Sequence, residues 1–227
     1  MRAFRGGLWL LFPMFGIGLG WLFRTSETDL RSFSPAERVS AARKQVPLPD
    51  GRLLRWIGVP DPAGGTAFWL GEMEVDRATF RLFDPSHRGV GWAATVSLAE
   101  AEAFSEWLGG RVGREVRLPQ AAEWRWAARM LWPEAETAWG FGVKNPPAGV
   151  AFAKTRPPVR PGPPLGAGFR DLAGGVWEWT AEGLLLGGAW AEQNPDWLRL
   201  DRAFRPPEGY AGADTGFRLW MEALPGE

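Results

Sequence analysis

Four carboxylates near the C-terminus, Glu178, Glu192, Asp196 and Asp201, are the side chains whose type and spacing most invite a chemical reading. The last three crowd into one loop, and clustered oxygen donors suit a hard cation. The same pattern is also what a solvated acidic loop looks like, and that is the reading we favour. Beyond carboxylates the chemical repertoire is narrow. The 227-residue chain has no cysteine, which removes thiolate nucleophiles, iron–sulfur clusters and Cys-ligated zinc. Its one histidine, His87, excludes every site that needs two or three imidazoles. His87 lies in the polar run Asp84-Pro85-Ser86-His87-Arg88-Gly89, which reads as a surface loop rather than part of a catalytic triad. Lys+Arg 26 against Asp+Glu 26 gives no net charge, so bulk electrostatics favours no nucleic acid partner.

The elements that must position these groups follow from periodicity. Phe68 to Val75 reads as a strand, and Asp76 to Phe83 as a short helix with Phe80 and Phe83 inward. Ser97-Leu98-Ala99-Glu100 is a capping box. The helix after it carries Leu98, Ala101, Phe104 and Leu108 along one stripe and is expected to end at Gly109-Gly110. A second helix begins near Pro119, with Trp124, Ala127, Ala128 and Leu131 on its apolar side. Seven prolines in residues 146–164 predict an extended surface loop. The last 60 or so residues are rich in Gly and Trp, with strands expected at Val176–Thr180 and Phe217–Met221. In the first, alternation puts Trp177 and Trp179 on one face and Glu178 on the other, the pattern of a half-buried strand. Arg218 is expected to be partly buried against a carboxylate, with Glu123 and Glu178 as candidates.

The N-terminus is different in kind. Gly6 to Phe23 carries no charge, with Arg2 and Arg5 before it and Arg24 after it. Eighteen residues at about 1.5 Å each span about 27 Å, enough for a thin hydrocarbon core. Pro13 is tolerable in such a span, and Trp9 and Trp21 lie where interfacial aromatics belong. A cleaved signal peptide is the rival, but Gly20-Trp21-Leu22-Phe23 is bulky where a cleavage site needs small residues. A buried core helix is the third reading. An uncleaved anchor over residues 1–23 is therefore expected, single-pass in a cell membrane, with the remainder outside the cytoplasm. Residues 24–52 read as a polar spacer, with Val39, Ala42 and Val46 on one side of a short helix that Pro47 and Pro49 stop. The globular domain is expected over 53–227.

Several motifs then add up. Arg117-Leu118-Pro119 followed by Ala122-Glu123-Trp124-Arg125-Trp126-Ala127-Ala128-Arg129 resembles a signature of the formylglycine-generating enzyme (sulfatase-modifying factor) family. Thr95-Val96-Ser97 leading to Ala101 and Trp107, Trp139-Gly140, Asp171 to Thr180, Gly187-Gly188-Ala189-Trp190 and Gly216-Phe217-Arg218 resemble further family motifs in family order. The resemblance implies an α+β fold of the C-type-lectin-related kind, poor in regular secondary structure.

It also implies what is missing. The family's enzymes oxidise a sulfatase cysteine with oxygen through a copper-binding cysteine pair, and those positions here are Glu192 and Trp197. Neither offers a soft thiolate for Cu(I), and the motif's serine is Ala189, so copper is not expected. The family's structural calcium near the Asp171–Thr180 motif is implied for Glu178, but the motif's asparagine is replaced by Gly175. A second family calcium site is implied at about Asn145. Losing one oxygen donor weakens such a site without abolishing it, and no other cofactor is expected.

These readings make the chain a catalytically inactive, membrane-anchored accessory or maturation domain for an extracytoplasmic protein or glycan. Its cleft is expected between loops 186–202 and 146–164, with Trp190, Glu192, Trp197, Arg202 and Arg218 as binding residues. An enzyme of different chemistry in the same groove, and a structural subunit of a membrane complex, are the alternatives.

Overall fold

Strand pairing begins earlier than the sequence suggests. In the computed structural model of the chain, which describes residues 41–130, 152–164 and 167–227, Arg43–Pro47 forms a strand, β1, antiparallel to β2 (Leu53–Pro60). The segment read as a helical spacer is therefore, from Arg43 on, the edge of the main sheet. Pro47 at its end and the Arg43, Lys44 and Gln45 side chains suit an edge strand, where a missing N–H is harmless. All described residues belong to one body, Phe33–Glu227. The uncharged run Gly6–Phe23 lies outside them, and among the described residues no helix is long and apolar enough to cross a membrane.

The five-stranded sheet runs β1-β2-β3-β8-β4, every neighbour antiparallel. β3 is Thr66–Gly71, β4 Val116–Arg117 and β8 Trp220–Glu222. Both faces are covered, so successive side chains enter different cores. Trp56, Trp69 and Met221 pack into one cluster with Phe80, Phe104, Trp177 and Phe217. Ile57, Leu70 and Trp220 pack into the other with Trp124, Phe169 and Leu186. At the far edge Arg114 makes two 2.8 Å bonds to the Glu227 carboxylate, which also accepts from Lys44 and from the Trp69 indole.

Among the described residues, three α-helices lie beside these cores. α1 (Arg77–Phe80) is capped by Asp76, whose carboxylate accepts from Thr79 N–H. It delivers Phe80 into a ring stack on Phe104, centroids 5.3 Å apart, while Phe83 stays half-buried. α2 (Leu98–Val112) starts at the expected capping box, with Glu100 accepting from Ser97 N–H at 2.7 Å. It runs past Gly109 and Gly110 and stops at Gly113, which takes the left-handed φ of 66°. A Cβ at Gly109 would meet Val116 and Arg114, so that glycine serves close packing rather than termination. α3 (Ala121–Arg129) buries Trp124, Ala127 and Ala128 as its stripe predicts. Its first turn is held by Glu123, which accepts from Gln120 N–H and takes both arms of Arg117 at 2.7 and 2.8 Å.

A second, three-stranded sheet is ordered β6-β5-β7: Leu185–Leu186, Trp177–Trp179 and Thr215–Gly216. β5 is central, antiparallel to β6 and parallel to β7. All three of its side chains are buried, Glu178 included, which corrects the half-buried reading. His87 is corrected too: it is 8% exposed, with its ring 4.8 Å from Phe80 and Nε2 lacking a hydrogen-bond partner among the described residues. The turn around it is polar, yet the ring folds inward because Phe80 offers it an apolar wall. Burial pushes its pKa below the ordinary imidazole value.

Candidate binding cleft

The Gly187-Gly188-Ala189-Trp190 turn sets the geometry. Gly187 has φ 88°, and a Cβ there would strike the Leu172 carbonyl at 2.9 Å, so only glycine fits. The turn buries Ala189 completely and sends Trp190 N–H to the Gly175 carbonyl at 2.8 Å. The proline-rich loop is tied to the same place. Lys154 N–H donates to the Trp190 carbonyl at 2.7 Å, and Ala153 N–H to that of Glu192 at 3.0 Å. Further on, Trp92 N–H donates to the Pro158 carbonyl at 2.7 Å.

The two loops do meet, but the opening they leave is not where the site residues were expected. A shallow, partly open cleft is walled by Trp92, Trp190, Pro157 and Pro158, with Glu74 and Asp171 among its lining. Trp190 lines it. Glu192 does not line it: its carboxylate accepts from the Trp177 indole at 3.0 Å. Trp197 lies edge-on to Trp177, centroids 5.7 Å apart, in an aromatic group with Phe204. Arg202 is exposed outside the cleft. Arg218 is fully buried and reaches no surface. Its Nε and Nη2 donate to both Glu178 oxygens at 2.7 and 2.6 Å, and Nη1 donates to the Gly71 carbonyl. Burial opposes the guanidinium charge, and Glu178, with Glu74 and Asp171, more than offsets it, leaving the Arg218 pKa above its ordinary value. Glu123, the other candidate partner, belongs to Arg117 instead.

The metal readings fare unevenly. At the copper positions, a carboxylate bonded to an indole and a packed tryptophan form no soft-donor site, so copper does not fit. Asn145 lies outside the described residues. Glu178 has both oxygens taken, one by Arg218 alone and the other shared with the Trp124 indole at 2.7 Å. Oε1 accepts a single bond and so retains capacity for a hard cation. Asp201 is paired with Arg199, and Asp196 is exposed. Among the described residues no group of three or more carboxylates or imidazoles is disposed to hold a metal.

Two residues that sequence reading passed over carry the electrostatics. Glu74 is 3% exposed. Burial pushes its carboxyl well above the usual range, the charges of Asp171 and Glu178 add to this, and Arg218 opposes them. Asp171 adopts φ 52° and accepts from Gly162 N–H at 2.7 Å; its burial also pushes its pKa up. The signal for Glu74 was present. A carboxylate at the end of an apolar strand, next to Val75, needs a reason to be buried. Asp171 opened a quoted motif without being weighed as a binding group.

Known proteins share this arrangement of elements. Treponema denticola variable protein 1 has a TM-score of 0.57 at 17% identity, over 80% of this chain and 99% of that one. CarF has 0.55 at 17%, over 81% and 98%. PvdO from Pseudomonas aeruginosa has 0.51 at 15%, over 81% and 92%. At such identities the likeness is one of fold alone. No curated protein sequence matches the chain. The model of the sulfatase-modifying factor enzyme 1-like domain matches residues 92–223, more than half of the chain, and the chain therefore belongs to that family.

Proposed function

We propose that this protein is a non-catalytic binding domain of the sulfatase-modifying factor family, anchored in a membrane by Gly6–Phe23 and engaging an extracytoplasmic protein in an accessory or maturation role. One observation carries the loss of catalysis. The positions matching the family's cysteine pair are Glu192 and Trp197, and both are committed to packing around Trp177. With no cysteine in the sequence, the copper-thiolate route has no ligands. The anchor reading is supported by the uncharged run and its flanking arginines. The binding reading is supported by the open cleft beside Trp190, at the junction of the two loops.

The test uses the full chain in membranes. Incubated with a Cys-x-Pro-x-Arg peptide, copper and oxygen, it should form no formylglycine by mass spectrometry. Turnover would overturn the non-catalytic reading. A cytoplasm-only fluorescent reporter fused after Glu227 should be silent, and a bright signal would overturn the extracytoplasmic placement. Crosslinking from the cleft in native membranes should identify a single stoichiometric protein. Crosslinks confined to lipid or glycan would remove the protein partner.

A further inference from the structure

Positive charge gathers on two loops that meet beside the cleft. Residues 84–92 carry Arg88, and residues 152–164 carry Lys154, Arg156 and Arg160; the one acid in either stretch is Asp84. All four cations are exposed, and none makes an ion pair among the described residues. Asp84 is held in its own turn, where it accepts from the N–H and hydroxyl of Ser86 at 2.9 and 2.6 Å, and it offsets part of the Arg88 charge. A chain with no net charge has concentrated cations on this face.

The same loops hold apolar side chains out in solvent. Val159 is 83% exposed and Val90 53%, the highest values for large apolar side chains among the described residues. Their exposure is built into the fold. Trp92 N–H donates to the Pro158 carbonyl at 2.7 Å, and a Cβ on Gly91 would meet the Pro157 ring at 2.9 Å, so the loops are in close contact. Arg77 braces the first loop from behind: its side chain donates to the Gly89 carbonyl at 2.8 Å and its backbone N–H to the Trp92 carbonyl at 2.9 Å. Pro157, Pro158 and Pro161 stiffen the second.

Resting on the reading of the chain as membrane-anchored, we propose that these two loops dock on an anionic bilayer surface, with Val90 and Val159 entering the interface and Arg88, Lys154, Arg156 and Arg160 on lipid phosphates. A side chain as exposed as Val159 has no wall of its own domain beside it. It is a protrusion, which suits a deformable headgroup layer, whereas a protein partner would have to bring the pocket. Apolar tips supply insertion, and the cations beside them supply attraction to anionic lipid. The long arginine and lysine stems add apolar contact while their heads reach the phosphates. Weak affinity is enough. Residues 24–40, which follow the uncharged run, cannot span more than about 60 Å even when fully extended, so lipid is always at high local concentration. Val90 and Arg160 also line the cleft, so its mouth opens at the headgroup layer and the partner is met along the membrane.

The chain has no cysteine, so Val159→Cys introduces a single thiol for an environment-sensitive nitrobenzoxadiazole label. The labelled full chain is reconstituted in nanodiscs of phosphatidylcholine with and without phosphatidylglycerol, and spin-labelled lipid serves as the quencher. In the anionic discs the emission should shift to the blue and be quenched, and both effects should fall as salt is raised. Leu224→Cys, at a 41% exposed position beyond the opposite end of β3 from these loops, should show neither. Arg156→Glu combined with Arg160→Glu reverses two charges that make no hydrogen bond among the described residues, and should abolish the shift at the Val159 label while circular dichroism is unchanged. Equal quenching at the two labelled positions, a shift that persists in phosphatidylcholine alone, or a shift untouched by the double reversal overturns the proposal. So does a label indifferent to lipid and shielded only when solubilised membrane proteins are added, the result of an acidic protein covering the loops. A chain that fails to insert into the discs removes the anchor and the docking with it. Insertion with an unquenched label removes the docking alone.

Discussion

Arg218 and Glu178 form a two-pronged ion pair, at 2.6 and 2.7 Å, with both side chains sealed from solvent. The pair joins β5, at the centre of the small sheet, to the segment leading into β8 of the large one. Through Nη1 and Nη2 it also fixes the carbonyls of Gly71 and Arg170. Desolvating two charges makes their net contribution small, but removing one partner strands the other. Arg218→Met should therefore destabilise by about 3–5 kcal/mol. Combining it with Glu178→Gln should recover part of that loss in chemical denaturation. A double variant as unstable as the sum of the singles would show that the two do not act as a pair.

Trp124 extends the same network. It is fully buried, and its indole donates to Glu178 at 2.7 Å. Trp124→Ala should cost about 3–5 kcal/mol, through lost burial and the cavity left behind. Trp124→Phe should keep most of the volume and lose the bond, costing about 1–3 kcal/mol. Equal melting temperatures for wild type and Trp124→Ala would remove the residue from the core.

His87 makes stability pH-dependent in a defined direction. Its folded pKa is lowered because burial against Phe80 disfavours the imidazolium, while Glu100 and Asp84 partly support the charge and Arg81 and Arg77 oppose it. The neutral ring's contribution is full above the unfolded value of about 6.5. It is lost as pH falls through that value towards the lowered folded one. The stability of wild type relative to His87→Phe should thus decline between about pH 7 and pH 5. A difference flat across that range would mean the ring is free to leave its pocket.

Glu74 predicts the opposite slope. Its folded pKa is raised, first by burial and then by Asp171 and Glu178, so the protonated acid is the form the fold prefers. That contribution is present at low pH and is lost as pH rises through the raised folded value. Glu74→Gln should therefore melt higher than wild type above neutral pH, with the gap closing towards pH 4. A variant that melts lower at every pH would mean the charged carboxylate stabilises the domain.

What the sequence determined by itself was local. The capping box at Ser97 and Glu100, the apolar stripe through Trp124 and the glycine turn at Gly187 were legible because each depends on spacing within a few residues. The motif order from Thr95 to Arg218 identified the family, and the absence of cysteine was plain, both from residue identity alone. The depth of each residue was decided elsewhere. Arg43–Pro47 is polar enough to pass for a spacer, and only pairing with β2 makes it a strand. Glu178 alternates like a surface residue and is buried because Arg218, forty positions away, arrives to neutralise it. His87 sits in a polar turn and is drawn inward by Phe80. Glu74 and Asp171 are 97 positions apart, and a glycine belonging to neither lets them share one cleft. Burial and charge pairing are sums over neighbours that meet only when the chain folds, so no window of sequence contains them.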